Sequence, residues 1–187
     1  MDVTLASSVD EYFHEVVSDA VAAVDLDASE PASWYLVGLL GEMTRTRLTD
    51  EPLGLKLAAP PTDPGERVRT LKQVGDTSLY VAGFFAESLT RTLVDVDYYI
   101  GIGQSAYAQL ARSLGGNHSL GEIYDELAAK FPQFVDVIAE IRKRTDFATA
   151  DVTRLYEIWL RTRDEWIEKK LRAVGVLVDG NATKVPC

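Results

Sequence analysis

Cysteine and histidine are the scarcest chemistry-bearing residues of this chain, which has one cysteine and two histidines among its 187 residues. The cysteine, Cys187, is the last residue, so no internal disulfide can form, and we expect a reducing, cytoplasmic setting. With His14 and His118 as the only histidines, a Ser-His-Asp triad has few ways to assemble, and no G-x-S-x-G, CxxC or HExxH motif occurs. The sequence therefore favours a protein that is not an enzyme and predicts no cofactor, while the role of Cys187 stays open.

Basic residues are also in short supply, because 19 Lys and Arg stand against 29 Asp and Glu, for a formal net charge of −10. Binding to nucleic acid or to an anionic lipid surface depends on neutralising phosphates, so both partners are disfavoured. The N-terminus lacks the basic start and apolar run of a signal peptide. The longest apolar stretch, near Leu79–Phe85, is far too short to span a bilayer, and we expect no membrane insertion.

Apolar residues are plentiful, at 47% of the chain, and recur at three- and four-residue steps through most of its length. This spacing is typical of amphipathic helices, and no segment alternates with the period of two expected of a strand. We therefore predict an all-α protein, a compact bundle of about six long helices plus one short helix. It should form a single domain over residues 1–187, with flexible tails at 1–7 and 176–187.

Capping residues predict where several helices begin. Ser8 and Glu11 have the spacing of a capping box, which predicts that the first helix begins at Ser8. Asp63 is the predicted N-cap of a helix that reaches Leu89. Gly75 within that helix predicts a kink or a close helix crossing, since an interior glycine costs about 1 kcal/mol relative to alanine.

Later boundaries rest on aspartate and proline. Asp95 or Asp97 is the predicted cap of a helix that ends near Leu114. Pro132 predicts that the following helical pattern kinks or restarts there. The final helix is predicted to run without a break from about Ala150 to Val174.

Glu11 and His14 form a Glu-x-x-His pair, which places a carboxylate and an imidazole one turn apart on one helix face. Ferritin-like di-iron bundles use this spacing twice and add further glutamates from other helices. This chain contains the Glu-x-x-His spacing only once. A metal or haem site through Glu11 and His14 is kept as an alternative. The simpler interpretation is that Glu11 caps the helix and His14 lies at its solvent edge.

The segment Gly101–Ala106 matches the dinucleotide-binding pattern G-x-G-x-x-G/A. That pattern binds pyrophosphate only between a strand and a helix, and here the preceding residues are typical of a helix start. We favour helix packing instead: Gly101, Ser105 and Ala108 are small residues at helical spacing, and they predict a face on which two helices approach closely.

Aromatic residues are concentrated between residues 79 and 107, where they can line a pocket for an apolar or planar ligand. A carboxylate held in such surroundings has a raised pKa and can act as an acid or a base. The alternative is that the aromatic residues are core and the carboxylates lie at solvated helix edges. The candidate pocket residues are Tyr80, Phe84, Tyr98, Tyr99 and Tyr107, with Glu42 and Glu87 as the carboxylates.

Three segments, Gly75–Phe85, Val96–Tyr107 and Tyr35–Leu40, resemble a group of uncharacterised bacterial helical proteins. The resemblance implies a bacterial, cytoplasmic setting, and it carries no activity, ligand or catalytic residue.

The function that we predict is that of a non-enzymatic helical adaptor or regulatory protein, which binds another protein and associates with itself. Trp166 in the final helix is the candidate interface residue, because tryptophan is enriched in binding hot spots. One alternative is a small-molecule binding protein or enzyme that uses the aromatic pocket. The other is the metal or haem protein that uses His14.

Overall fold

The chain folds into an all-α bundle in the computed structural model, which describes residues 2–45, 52–89, 95–115, 118–147 and 165–173, together with 156, 159, 160 and 163. No strand occurs among these residues, which confirms the predicted fold class. The helices whose bounds lie within the described residues are α1 (Asp2–Ala23), α2 (Glu30–Arg45), α3 (Leu53–Ala58), α4 (Pro64–Phe84), α5 (Ala86–Leu89), α6 (Val96–Ser113), α7 (His118–Ala129), α8 (Phe131–Phe147) and α9 (Glu165–Ala173).

Helix α4 lies at the centre of the bundle and packs against α6 and α8, while α1 pairs with α2 and also contacts α8. The core forms because each helix turns one apolar stripe inward. Its largest fully buried aliphatic and phenylalanine side chains are Leu36, Leu40, Leu71, Leu79, Leu110, Leu127, Phe131, Phe134, Ile138 and Ile141.

Glycines allow the close helix contacts of this core. A Cβ on Gly75 would lie 2.4 Å from Cε1 of Tyr107, and a Cβ on Gly103 would lie 2.1 Å from Cζ of Phe131. Only a hydrogen fits at either position, so the predicted close crossing at Gly75 is confirmed. The predicted small-residue face is wrong, because Gly101 and Ser105 are exposed and no atom lies within 4 Å of the place where a Gly101 Cβ would be.

The first helix begins at Asp2, six residues before the predicted start at Ser8. The capping-box interpretation of Ser8 and Glu11 is therefore wrong, because both residues lie inside a continuing helix whose backbone N–H groups already have partners. Residues 2–7, which we expected to be a tail, belong to α1, and residues 176–187 lie outside the described residues.

Two predicted caps are confirmed. The Asp63 side chain accepts a hydrogen bond from the backbone N–H of Glu66 at 2.8 Å and begins α4. The Asp95 side chain accepts one from the N–H of Tyr98 at 3.0 Å and begins α6. Helix α4 ends at Phe84 rather than at Leu89. Phe85 lies outside the helix and separates α4 from the short α5.

The restart at Pro132 is confirmed, since α7 ends at Ala129 and Pro132 lies in the first turn of α8, where proline is tolerated. The prediction of an unbroken final helix is wrong. Arg163 has a φ of 55° and lies outside any helix, and a residue with that backbone conformation cannot continue a right-handed helix. Helix α9 therefore starts anew at Glu165.

Within the described residues, we find no helix with the length and apolar character needed to cross a membrane.

Candidate functional site

The most unusual polar feature of the core is a carboxylate in the middle of α4. Asp76 is 1% exposed, and its Oδ1 accepts hydrogen bonds from the hydroxyls of Tyr107, at 2.7 Å, and of Tyr35. Its Oδ2 accepts one from Nζ of Lys72 at 2.6 Å, and the same Nζ donates to Oε2 of Glu42 at 2.9 Å. We call these five residues the Asp76 cluster, and they connect α2, α4 and α6.

Local geometry explains how the cluster forms. Lys72 and Asp76 are four residues apart on α4 and therefore share one helix face. Gly75 brings the ring of Tyr107 against the backbone of α4 and so carries its hydroxyl to Asp76. On α2, Tyr35 turns inward and lies under Lys72, whose Nζ is 5.7 Å from the centre of the Tyr35 ring.

The aromatic rings around Asp76 pack edge to face and at tilted angles. Tyr35 is perpendicular to both Tyr107, at 6.3 Å between ring centres, and Tyr124, at 5.4 Å. Tyr107 also lies 5.7 Å from Tyr124 and 5.8 Å from Phe131. These arrangements are the ones that aromatic quadrupoles favour, and they hold the two hydroxyls that face Asp76 in place.

Burial determines the electrostatics of the cluster. It raises the pKa of Asp76, while Lys72 and the hydroxyls of Tyr35 and Tyr107 oppose the shift by stabilising the carboxylate. It also raises the pKa of Tyr107 and of Tyr35 far above the ordinary value, with Asp76 adding to the effect, so both hydroxyls keep their protons and remain donors.

The pKa of Lys72 shifts in the direction opposite to the one that burial alone would give. Burial on its own lowers the pKa of Lys72, but the attraction of Asp76 and Glu42 and their hydrogen bonds outweigh it, and the pKa lies above its usual value. Lys72 therefore carries its charge, which makes it an ion-pair partner and not a nucleophile.

Chemically, the Asp76 cluster is closed. Both carboxylate oxygens of Asp76 are engaged by protein donors, and the outer end of the cluster is the Lys72–Glu42 ion pair, in which Glu42 is 61% exposed. Such an arrangement joins three helices through a satisfied polar network, which specifies how they pack.

The predicted pocket residues are divided among several places in the structure. Tyr107 and Glu42 belong to the Asp76 cluster, at its inner and outer ends. Tyr80 and Phe84 stack on each other with their ring centres 4.5 Å apart, and both are buried in the core.

The other candidates lie elsewhere. Tyr98 and Tyr99 meet edge to face at 5.4 Å at the start of α6, where Tyr98 is exposed. Glu87 lies in α5, and its side chain is outside the described part of the chain. The aromatic pocket stays a prediction, and so does acid–base work by Glu42 or Glu87.

Sequence reasoning missed three members of the Asp76 cluster, Tyr35, Lys72 and Asp76. One signal was present: Asp76 lies three and four residues before the apolar Leu79 and Tyr80, so it shares a face of α4 with them as well as with Lys72. A carboxylate on such a face is a stronger indication of a polar network than an acidic residue at a helix edge.

The structure describes the surroundings of Glu11, His14 and the glycine motif. Within the described residues, no group of three or more His, Cys, Asp or Glu side chains is arranged to hold a metal ion. Glu11 is exposed and His14 is half-buried, and the side chain of His118 is outside the described set. The segment Gly101–Ala106 lies inside α6, so the strand and glycine turn of a dinucleotide site do not form.

His14 has an aromatic partner. Its ring stacks on the indole of Trp34 with 4.1 Å between centres, which joins α1 to α2 at the surface, and Trp34 remains 43% exposed. We call the exposed surface around this pair the α1–α2 face. Its described residues are Asp10, Glu11, His14, Glu30, Trp34 and Gly38.

The candidate interface residue Trp166 belongs to α9, but its side chain lies outside the described residues, as does Cys187. No protein-family model, curated protein or solved structure matches this chain.

Proposed function

We propose that this protein is a non-enzymatic helical interaction protein, an adaptor or regulator that docks another protein on the α1–α2 face. The exposure of Trp34 carries this proposal. Its indole is 43% exposed and is held in position by the stack on His14, although its neighbours on α2 include the fully buried Leu36. A rigid, exposed tryptophan offers a large contact area at a small entropic cost, as binding hot spots require.

The Asp76 cluster supports the same proposal from inside the protein. Its carboxylate is enclosed and fully hydrogen-bonded, so it suits the fixing of helices better than the binding and turnover of a substrate. We therefore assign the proposed binding function to the protein surface and not to the buried Asp76 cluster.

The proposal includes a bacterial, cytoplasmic setting, for which the grounds are the sequence resemblance and the single cysteine. It also includes self-association. Because the α1–α2 face is rich in acidic residues, two copies repel each other there, and self-association uses another surface.

Affinity capture with three immobilised forms of the protein tests this function: the wild type, Trp34→Ala and Leu55→Ala. Leu55 is the matched control, since it is an apolar residue on α3 that is 68% exposed and α3 packs on α4 and α6. We expect a protein from the source cell that binds the wild type and Leu55→Ala and is lost with Trp34→Ala.

Light scattering on the same samples reports self-association as a mass above 20.6 kDa. The proposal fails if all three forms retain the same proteins, or if none retains any and the wild type is a strict monomer.

A further inference from the structure

The negative charge of this protein is concentrated at one end of the sequence. Nine of its 29 acidic residues, and none of its 19 basic residues, lie within residues 1–44, which form α1, the following loop and nearly all of α2. The rest of the chain has 20 acidic residues against 19 basic ones and is therefore almost neutral. The net charge of −10 thus belongs almost entirely to the α1–α2 hairpin.

Part of this charge flanks the aromatic pair on the α1–α2 face. Asp10 and Glu11 precede His14 by one helical turn, and Glu30 precedes Trp34 by one turn on α2. One turn is about 5.4 Å along a helix axis, so these carboxylates lie within reach of a group bound against the indole. All three side chains are exposed, and none of them has an ion-pair partner among the described residues.

Two other acidic residues of the hairpin do have ion-pair partners. Glu42 pairs with Lys72, and Asp19 lies 3.9 Å from Arg144 of α8. The carboxylates around Trp34 therefore belong to the part of the acidic surface that the described chain does not neutralise, and they flank the His14–Trp34 pair.

The surface beside Trp34 is also open. Gly38 follows Trp34 by one turn on the same face of α2, and a Cβ at Gly38 would meet no atom within 4 Å. His14 covers one side of the indole through the stack, and Trp34 is nevertheless 43% exposed.

We propose that the α1–α2 face binds an arginine- or lysine-rich segment of a partner protein. A guanidinium or ammonium of that segment lies against the indole of Trp34, which is the strongest cation–π acceptor among the side chains. Neighbouring cations of the segment pair with Glu11 and Glu30, and arginine does so with two parallel hydrogen bonds. This inference rests on the proposed function and adds the chemistry of the partner.

The same face of a second copy does not fit there, because each copy brings nine acidic residues and no basic one in its α1–α2 hairpin. Nucleic acid does not fit either, since its phosphates repel the same carboxylates. Charge complementarity thus selects a cationic protein segment.

Calorimetric titration of the whole protein with an alternating arginine–glycine decapeptide tests the inference. Trp34→Leu keeps an apolar side chain and removes the π face, and we expect it to weaken binding about fivefold or more. Glu30→Gln should weaken binding more than Asp97→Asn, its control, which removes one exposed charge from α6. Circular dichroism and the urea midpoint confirm that each variant is folded.

Two results would overturn the inference. One is peptide binding by Trp34→Leu with wild-type affinity, because attraction by net charge alone needs no indole. The other is an equal loss from Glu30→Gln and Asp97→Asn, because binding would then not be localised on the α1–α2 face.

The affinity capture described above separates this inference from the proposed function. A partner that is lost with Trp34→Ala but has no basic segment supports docking and overturns the charge-based inference. Peptide binding that depends on Trp34, with no captured partner and a strictly monomeric wild type, supports the inference and overturns the proposed function.

Discussion

Replacing Asp76 with alanine removes the acceptor that Tyr35 and Tyr107 share and takes one of the two carboxylate partners from Lys72. The two hydroxyls would remain in the core, where water cannot readily take the place of the carboxylate. The apolar contacts between α4 and α6 would persist, so we expect the same fold at lower stability.

The magnitude follows from two effects that overlap. A buried hydroxyl left without an acceptor costs about 1–3 kcal/mol, and the loss of one member of a buried ion pair costs about 3–5 kcal/mol. Lys72 is 34% exposed and keeps Glu42, so it recovers part of the loss. We expect Asp76→Ala to cost about 3–4 kcal/mol, a large share of the roughly 5–15 kcal/mol that stabilises a typical domain.

Asp76→Asn is the conservative comparison. Its amide oxygen still accepts from the two hydroxyls, while its NH₂ group faces the ammonium of Lys72 unfavourably. We expect this variant to cost about 1–2 kcal/mol, less than the alanine variant.

Urea unfolding followed by far-UV circular dichroism measures these losses as lower midpoints at an unchanged slope. A double-mutant cycle should give a coupling of about 1–2 kcal/mol between Asp76→Ala and Tyr107→Phe, and less than about 0.5 kcal/mol between Asp76→Ala and Tyr124→Phe. Tyr124 is the control because it belongs to the same ring cluster. The reasoning is refuted if Asp76→Ala costs less than about 1 kcal/mol, or if both tyrosines couple equally.

Gly75→Ala should destabilise the protein by about 2 kcal/mol, because its Cβ would lie 2.4 Å from Cε1 of Tyr107. Gly101→Ala should stabilise the protein by up to about 1 kcal/mol, since its Cβ has open space. Urea midpoints of the two glycine variants that shift in the same direction would contradict the assignment of Gly75 to a close helix contact and of Gly101 to open surface. Burial on its own raises the pKa of Glu126, but hydrogen bonds from Ser29 and Lys130 outweigh it and lower the pKa below its usual 4.5, so the resulting stability is present above pH 4.5 and is lost as the pH falls below it. Glu126→Gln should therefore lose about 1–2 kcal/mol near neutral pH and approach the wild type in acid. A gap that does not change with pH, or an equal gap for the exposed Glu122→Gln, would argue against this role.

Helices could be predicted from the sequence wherever the signal is local. Asp63, Asp95 and Pro132 act through hydrogen bonds and steric limits within a few residues, and each lies at the predicted boundary. Ser8 and Glu11 have equally good capping spacing, yet the helix begins at Asp2, because a capping pair does not by itself stop the preceding residues from being helical.

The candidate site could be predicted only in part, because its members meet through tertiary contacts. Tyr107 and Glu42 were proposed for a common pocket, and the structure does connect them, but through Lys72 and Asp76. No local pattern reveals that Tyr35 and Tyr107, which lie 72 positions apart, donate to one oxygen. Partners of this kind depend on how α2 and α6 cross α4.

The glycines show the same limit. Gly75, Gly101 and Gly103 all lie inside helices, and the sequence alone does not show which of them lies at a close helix contact. The structure does so through their opposing helices, because Gly75 faces Tyr107 and Gly103 faces Phe131 while Gly101 faces no side chain. Helical period alone assigned Gly101 to the packed face, whereas the buried stripe of α6 passes through Ile102, Gly103, Ala106 and Tyr107.

The buried cluster and the exposed tryptophan are connected through α2. Trp34 and Tyr35 are consecutive residues, and consecutive side chains on a helix point roughly 100° apart. The hydrogen bond from Tyr35 to Asp76, together with the buried apolar side chains of α2, fixes the rotation of α2 about its axis, and that rotation directs Trp34 outward beside His14. With an apolar residue in place of Tyr35, α2 could pack at a wider range of rotations about its axis. A hydroxyl that needs one buried acceptor permits only a narrow range of these rotations. The buried carboxylate of Asp76 thus contributes to binding at the surface, because it helps to orient the indole of Trp34, which we propose as the docking residue.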